Sequence, residues 1–342
     1  MTNGNQTTND SQWGATVRRI AGNQTTILLL VLLSLIAVFS YLQPLFFTAQ
    51  TASNILTDWG SVVLIAVGAT FVIISGGIDL SVGATIGLSG VVAAWFMVNV
   101  AQIPQDASGA EVYQALALGT VVAVAVGLTV GAINAALINL ARIPPFIATL
   151  ATMGAGSGFA VIISGGMPIG GPNDFALVSP FSQDTNPFSW VVLGSTLIVI
   201  VLGLFLHKSR FGLHTYAIGS NVFAARAAGI NVERHLTKVY MLAGGLAGIA
   251  GMYVYIRLGA GSPSSGSLRE LDAIAAVVIG GASLMGGVGR IIGTILGTLV
   301  LFTVQSGLIM IGVAPDWKKV VVAVLIATAV AVQTARSKRR VV

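Results

Sequence analysis

Few of the groups that could do chemistry in this chain are placed to do it. Only 8% of the 342 residues are charged and none is cysteine, so disulfides and thiolate chemistry are excluded. There is no G-x-x-x-x-G-K-[ST] and no lysine follows a glycine, so no P-loop can cradle a nucleotide. All three histidines, His207, His214 and His235, fall in or beside one polar stretch, and no Cys/His cluster offers a metal site. No Ser-His-Asp arrangement or carboxylate pair is suggested by context. The chain does not read as an enzyme, and no cofactor or metal is expected in it.

Asp79 is the one acid close to the interior of the first half, within Ile74-Ser75-Gly76-Gly77-Ile78-Asp79-Leu80-Ser81-Val82-Gly83. A carboxylate in so apolar a setting is costly and must be hydrogen-bonded or face water. Ser81 and the Gly-Gly backbone could satisfy it, and Asp79 could cap a helix starting at Leu80. Its other reading is contact with a path across the membrane or with a cytoplasmic partner. No second buried acid or histidine forms a proton relay with it. Asn134, Thr149, Thr152 and Ser164 are the other polar groups that could line such a path. Arg269-Glu270-Leu271-Asp272 stands just before an apolar run. Asp272 could cap that helix or pair with Arg269, or the cluster could form a rim for docking an extracellular partner.

These groups must be positioned by a membrane fold. Apolar residues make up 55% of the chain and the mean hydropathy is +0.90, whereas soluble domains are roughly 25% charged. Ten segments are long enough to cross about 30 Å of hydrocarbon: 27–45, 60–77, 82–101, 115–138, 146–163, 190–207, 238–258, 271–289, 291–312 and 319–334. The expected fold is all-α, a polytopic helix bundle, with a cytoplasmic tail over 1–25, a permeation domain over 26–335 and a basic tail over 336–342. The polar start, which holds Arg18 and Arg19, does not read as a cleavable signal. With both termini inside, all but four of the 17 Lys/Arg (Arg257, Arg269, Lys318 and Lys319) fall on inner segments, as the positive-inside rule requires. The basic balance reflects that topology and contact with anionic lipid, so nucleic acid need not be invoked.

Small residues at Gly83/Gly87, Gly127/Gly131, Gly244/Gly248 and Gly293/Gly297 let helix backbones approach in lipid. Gly-rich breaks at 74–83 and 279–289 occupy comparable places in the two halves, which suggests an internal repeat; simple tight turns are the other reading. Pro144-Pro145 breaks the chain after Arg142.

The polar island 207–238 carries five Lys/Arg: Lys208, Arg210, Arg226, Arg234 and Lys238. At its centre Ser220 or Asn221 is a good N-cap and Gly229 a good C′ residue, so 222–228 is expected to form about two turns. So short a helix is unstable alone in water and needs a surface to lie against. Ala224 and Ala225 permit close approach, Phe223 and Ile230 offer apolar knobs, and Arg226 offers a charge. The competing reading is an ordinary basic loop at the lipid headgroups.

Several of these segments together, in order, resemble the permease subunit of bacterial ribose-type sugar ABC importers. They are 75–83, Ile143-Pro144-Pro145-Phe146-Ile147-Ala148-Thr149-Leu150, 217–230, Glu270-Leu271-Asp272-Ala273-Ile274-Ala275-Ala276 through Gly281, and Gly286-Gly287-Val288-Gly289-Arg290-Ile291-Ile292-Gly293. The resemblance covers roughly 50–335. It implies a homodimer in the inner membrane, a cytoplasmic ATPase with two nucleotide-binding cassettes that binds ATP and Mg, and a soluble periplasmic or extracellular sugar-binding protein. It further implies that 221–230 is the helix that seats in the ATPase. The family typically has tyrosine before Glu-Leu-Asp-Ala-Ile-Ala-Ala, where this chain has Arg269. The expected function is import of a ribose-like pentose, a hexose or a related polyol. The rivals are an ion- or proton-coupled secondary transporter, for which Asp79 is the sole candidate group, and a membrane scaffold that transports nothing.

Overall fold

The computed structural model describes residues 24–171 except 105 and 108, 190–314, and 317, 320–325, 327, 328 and 331. The tails at 1–23 and 336–342 and most of the 164–189 loop lie outside the described residues. Among those described, the helices are α1 (Gln24–Leu42), α2 (Ala49–Ile74), α3 (Val82–Asn99), α4 (Ala110–Asn139), α5 (Pro145–Ser164), α6 (Trp190–Lys208), α7 (Arg210–Ser220), α8 (Val222–Ala227), α9 (Val232–Leu258), α10 (Arg269–Ile279) and α11 (Ile291–Met310). A two-residue antiparallel pair joins β1 (Ile169–Gly170) to β2 (Ala260–Gly261).

Eight of these helices, α1 to α6, α9 and α11, are long and apolar enough to cross a membrane. The sequence expects ten such spans. One difference is physical: the expected span 271–289 is not a continuous helix, because α10 stops after 11 residues and the glycines from Gly280 onward turn the chain. At about 1.5 Å per residue, α10 covers roughly half the hydrocarbon thickness. The expected span 319–334 falls partly outside the described residues; 320–325 is helical, and Val322 packs on the core.

α2 is the axle of the bundle. Thr48 caps it by accepting from Thr51 N at 3.3 Å. From Trp59 to Ile74 every residue is buried, as expected of a helix that is apolar all round and enclosed by others. α9 crosses both α2 and α4. Along α4 and α9 the glycines face one another: a Cβ on Gly127 would overlap the carbonyl of Gly244, and one on Gly131 that of Tyr240. This close approach replaces the hydrophobic driving force that lipid cannot supply. α10 and α11 repeat the device, with Gly293 against Gly280 and Gly297 against Ala276. α1, α5 and α6 lie outermost and keep exposed apolar faces.

Between α9 and α10 the chain is irregular. A Cβ on Gly87 would meet the Pro263 carbonyl and one on Gly83 the Gly266 carbonyl, so 261–266 runs antiparallel along the glycine face of α3. Non-helical backbone at this depth is tolerated because protein, not lipid, surrounds it.

Candidate functional site

Two groups of side chains stand out, one at the basal end of the bundle, where α7 and α8 sit, and one just above it. At the basal end three asparagine and serine caps set the path of the chain. Ser209 Oγ accepts from Gly212 N at 3.2 Å and starts α7; Asn221 Oδ1 accepts from Ala224 N at 3.0 Å and starts α8; Asn231 Oδ1 accepts from Arg234 N at 2.9 Å and starts α9. Asn221 is extended (φ −162°, ψ 104°), which breaks the helical path between α7 and α8.

α8 ends in a Schellman arrangement: Ile230 N donates to Ala225 O at 3.1 Å and Gly229 N to Arg226 O at 2.9 Å. Gly229 has φ +82°, a conformation that a side chain would strain. Ala225 is buried with Ile218 and Val232, and Val222, Ile230 and Leu236 pack around them. Arg226 pairs with Glu233 at 2.5 Å, tying α8 back to α9. What remains outward is Phe223, 78% exposed, with Ala224, Ala227 and Ala228.

α7 is the element that sequence reasoning missed here. Its signal was present in Ser209, three residues before Gly212, but 207–221 read as a polar loop. α7 is held by Thr215 Oγ1, 2.9 Å from His235 Nε2, and by Phe211, whose ring centroid lies 4.4 Å from that of His235. Tyr216 OH donates to Gly289 O at 2.7 Å. Burial pushes the Tyr216 phenol up from its usual range, so it stays an un-ionised donor.

The second group joins four of the six expected polar residues, Asp79, Ser81, Asn134 and Thr152, into one chain of hydrogen bonds, with Thr149 beside them. Asp79 Oδ1 accepts from Ser81 N at 2.9 Å and from Ser81 Oγ at 2.6 Å. Asn134 Nδ2 donates to Ser81 Oγ at 2.8 Å, and Thr152 Oγ1 donates to Asn134 Oδ1 at 2.5 Å. Thr149 Oγ1 reaches Pro145 O at 2.9 Å and Ile78 O at 3.3 Å. Asp79, Ser81, Asn134 and Thr149 are buried, so these bonds clamp the 75–81 segment and α3 to α4 and α5. Asp79 is not the cap of a helix at Leu80, because α3 begins at Val82; it closes a turn onto Ser81 instead. Tyr240, unforeseen, is the neighbour above it: a Cβ on Gly77 would strike its hydroxyl. Ser164 stands apart at the other end of α5, where it accepts from Gly166 N at 3.2 Å.

Arg269, Glu270 and Asp272 are not on an outer rim. Glu270 and Asp272 are buried in the bundle, with the Glu270 carboxyl against Gly83 at the start of α3. Asp272 Oδ1 accepts from Gln305 Nε2 at 3.3 Å, and Arg269 Nη1 lies 3.7 Å from Asp272 Oδ2. The sequence put them outside because a full span was expected to begin there, whereas the irregular 261–266 segment carries the chain inward first. Among the described residues no group of three His, Cys, Asp or Glu side chains could hold a metal ion.

The profile of the family described as branched-chain amino acid transport system / permease component matches residues 51–330. The chain is 38% identical over 315 residues to the ribose import permease of Escherichia coli K12, covering 89% of this chain and 92% of that one. The chain belongs to the sugar ABC importer permeases. This permease is also 33% identical to the galactose/methyl galactoside import permease of Haemophilus influenzae, over 91% of this chain and 94% of that one. It is 35% identical to the D-allose transport system permease of Escherichia coli K12, over 90% and 91%. No solved structure matches it. Family and apolar helices together make the permease a multi-pass protein of the inner membrane.

Proposed function

We propose that this permease works as a homodimer that carries a monosaccharide or related polyol across the membrane, driven by a separate ATPase that seats on α8. The observation that carries this reading is α8 itself. It is a capped six-residue helix that keeps an exposed Phe223 and an alanine face and is pinned to the bundle from behind by Arg226–Glu233 and the Ile218–Ala225–Val232 cluster. A helix this short holds its shape only through such packing, and its outward face has no partner among the described residues. The basic residues around it favour the cytoplasmic side for the basal end, and hence for both termini. ATP and Mg belong to the partner, because this chain has no P-loop. A soluble binding protein on the opposite side delivers the sugar. The relatives named for ribose, galactose and allose import support a monosaccharide as substrate.

The test is uptake by proteoliposomes holding the permease with its ATPase and binding protein, using labelled ribose, galactose and allose. The expected result is ATP-dependent accumulation of one of them. Uptake that ignores ATP and follows a proton gradient would overturn the reading in favour of a secondary transporter, and no uptake of any sugar would favour the scaffold.

A further inference from the structure

The glycine-rich turn after α10 is closed on itself: Ser283 N donates to Val288 O at 2.9 Å, and Gly286 N to Ser283 O at 2.9 Å. It is also locked to two other segments. Gly287 N donates to Ile74 O at 2.8 Å, at the end of α2, and Tyr216 OH holds Gly289 O at 2.7 Å from α7. Gly286 (φ +86°) lies against Gly76 and the Gly219 carbonyl, and Gly287 (φ +72°) against Ser220. A Cβ on Gly219 would overlap the Ile74 carbonyl and fall 2.7 Å from Gly287 N. The end of α7, the end of α2 and the 283–288 turn therefore meet in one glycine junction, one residue before the Asn221 cap of α8.

On this fixed turn stands Met285, 89% exposed, with Val288 also exposed and Arg290 beside them. A large apolar side chain on a closed, rigid loop gains nothing from water. Methionine, aromatic residues and arginine are the types enriched at protein interfaces, and methionine adapts to irregular surfaces.

We propose that the 283–288 turn is a second seat for the same ATPase subunit, with Met285 and Val288 continuing the apolar surface that Phe223 begins on α8. The inference rests on the reading of α8 as the ATPase seat. The ATPase would then grip the chain at two places, one on α8 and one on the turn before α11. The glycine junction would keep the two contacts in register as the partner moves.

The absence of native cysteine makes the test direct. Met285→Cys and Phe223→Cys permeases in nanodiscs are labelled with a water-soluble maleimide, alone and after assembly with the purified ATPase subunit. Both thiols are expected to react freely alone and about tenfold more slowly in the complex, the order of a contact that matters to assembly. Protection at position 223 alone overturns the second seat and leaves α8 as the seat. Protection at neither position in a complex that copurifies overturns both. A thiol at position 285 that is unreactive without the ATPase places the turn in the lipid headgroups and also overturns the inference. In the same assay Met285→Asp should weaken ATPase binding about tenfold, equivalent to ~1.4 kcal/mol, while Met285→Leu binds as the parent does. Equal binding by Met285→Asp would refute the seat.

Discussion

At the scale of single residues, Arg226 and Gly229 do different work in α8. Arg226 is joined to Glu233, so Arg226→Glu sets two carboxylates against each other and pushes α8 off α9. Both side chains are about half exposed, so the pair itself adds little to global stability. Gly229→Val forces a β-branched residue into φ +82°, costing on the order of 1–2 kcal/mol locally. Either change should leave expression and melting close to normal but cut ATP-driven uptake, with ATP hydrolysis by the assembled complex persisting; normal uptake by both variants would remove α8 from the mechanism. Deeper in, Asn134→Leu should remove the donor to Ser81 Oγ and the side-chain acceptor of Thr152 Oγ1, two hydrogen bonds between elements, lowering stability by about 1–3 kcal/mol as seen in detergent melting. Asp79→Asn keeps an acceptor for both Ser81 donors, and uptake should remain ATP-driven. If that variant fails to transport while folding normally, the carboxylate has a duty beyond its turn. The caps of α8 were legible because Asn and Gly advertise them locally. The Asp79–Ser81–Asn134–Thr152 chain was legible only as a set of polar residues in apolar surroundings, since its bonds span residues 53 apart in sequence.

Among elements, the α4–α9 crossing is the tightest constraint. Gly127→Leu would drive a branched side chain into the Gly244 carbonyl, with no flexible neighbour to yield. Loss of folded protein in a detergent size-exclusion profile is expected, whereas Gly154→Leu on the open face of α5 should fold normally. The glycine spacing announced that helices approach closely but not which ones meet. α10 was misjudged because hydrophobicity reports that a segment can leave water, and a buried half-length helix is as apolar as a spanning one. α7 was missed for the opposite reason: its polar face, turned to water, masked a helix packed through Phe211, Thr215 and Ile218.

For the whole molecule, the membrane class, the family and the place of the short helix could all be read from the sequence, because composition and ordered motifs carry them. Which irregular segments fold back into the bundle could not, since that depends on the surfaces of helices elsewhere in the chain. The orientation argued from basic residues has its own check. A single cysteine placed at Lys208 should react with a membrane-impermeant maleimide in inverted vesicles and stay silent in intact cells; the reverse result would turn the molecule over.

The 261–266 segment, lying in the glycine groove of α3, has a consequence for how the protein is made. Neither that stretch nor the 11-residue α10 is stable in bare lipid, the first because its backbone is unpaired there and the second because it is too short. Both can enter only once α3 is already in place to receive them. The second half of the permease is therefore not an independent unit of insertion. Made without residues 1–99, it should leave 259–290 outside the membrane and open to protease, and supplying α1 to α3 as a separate chain should close it.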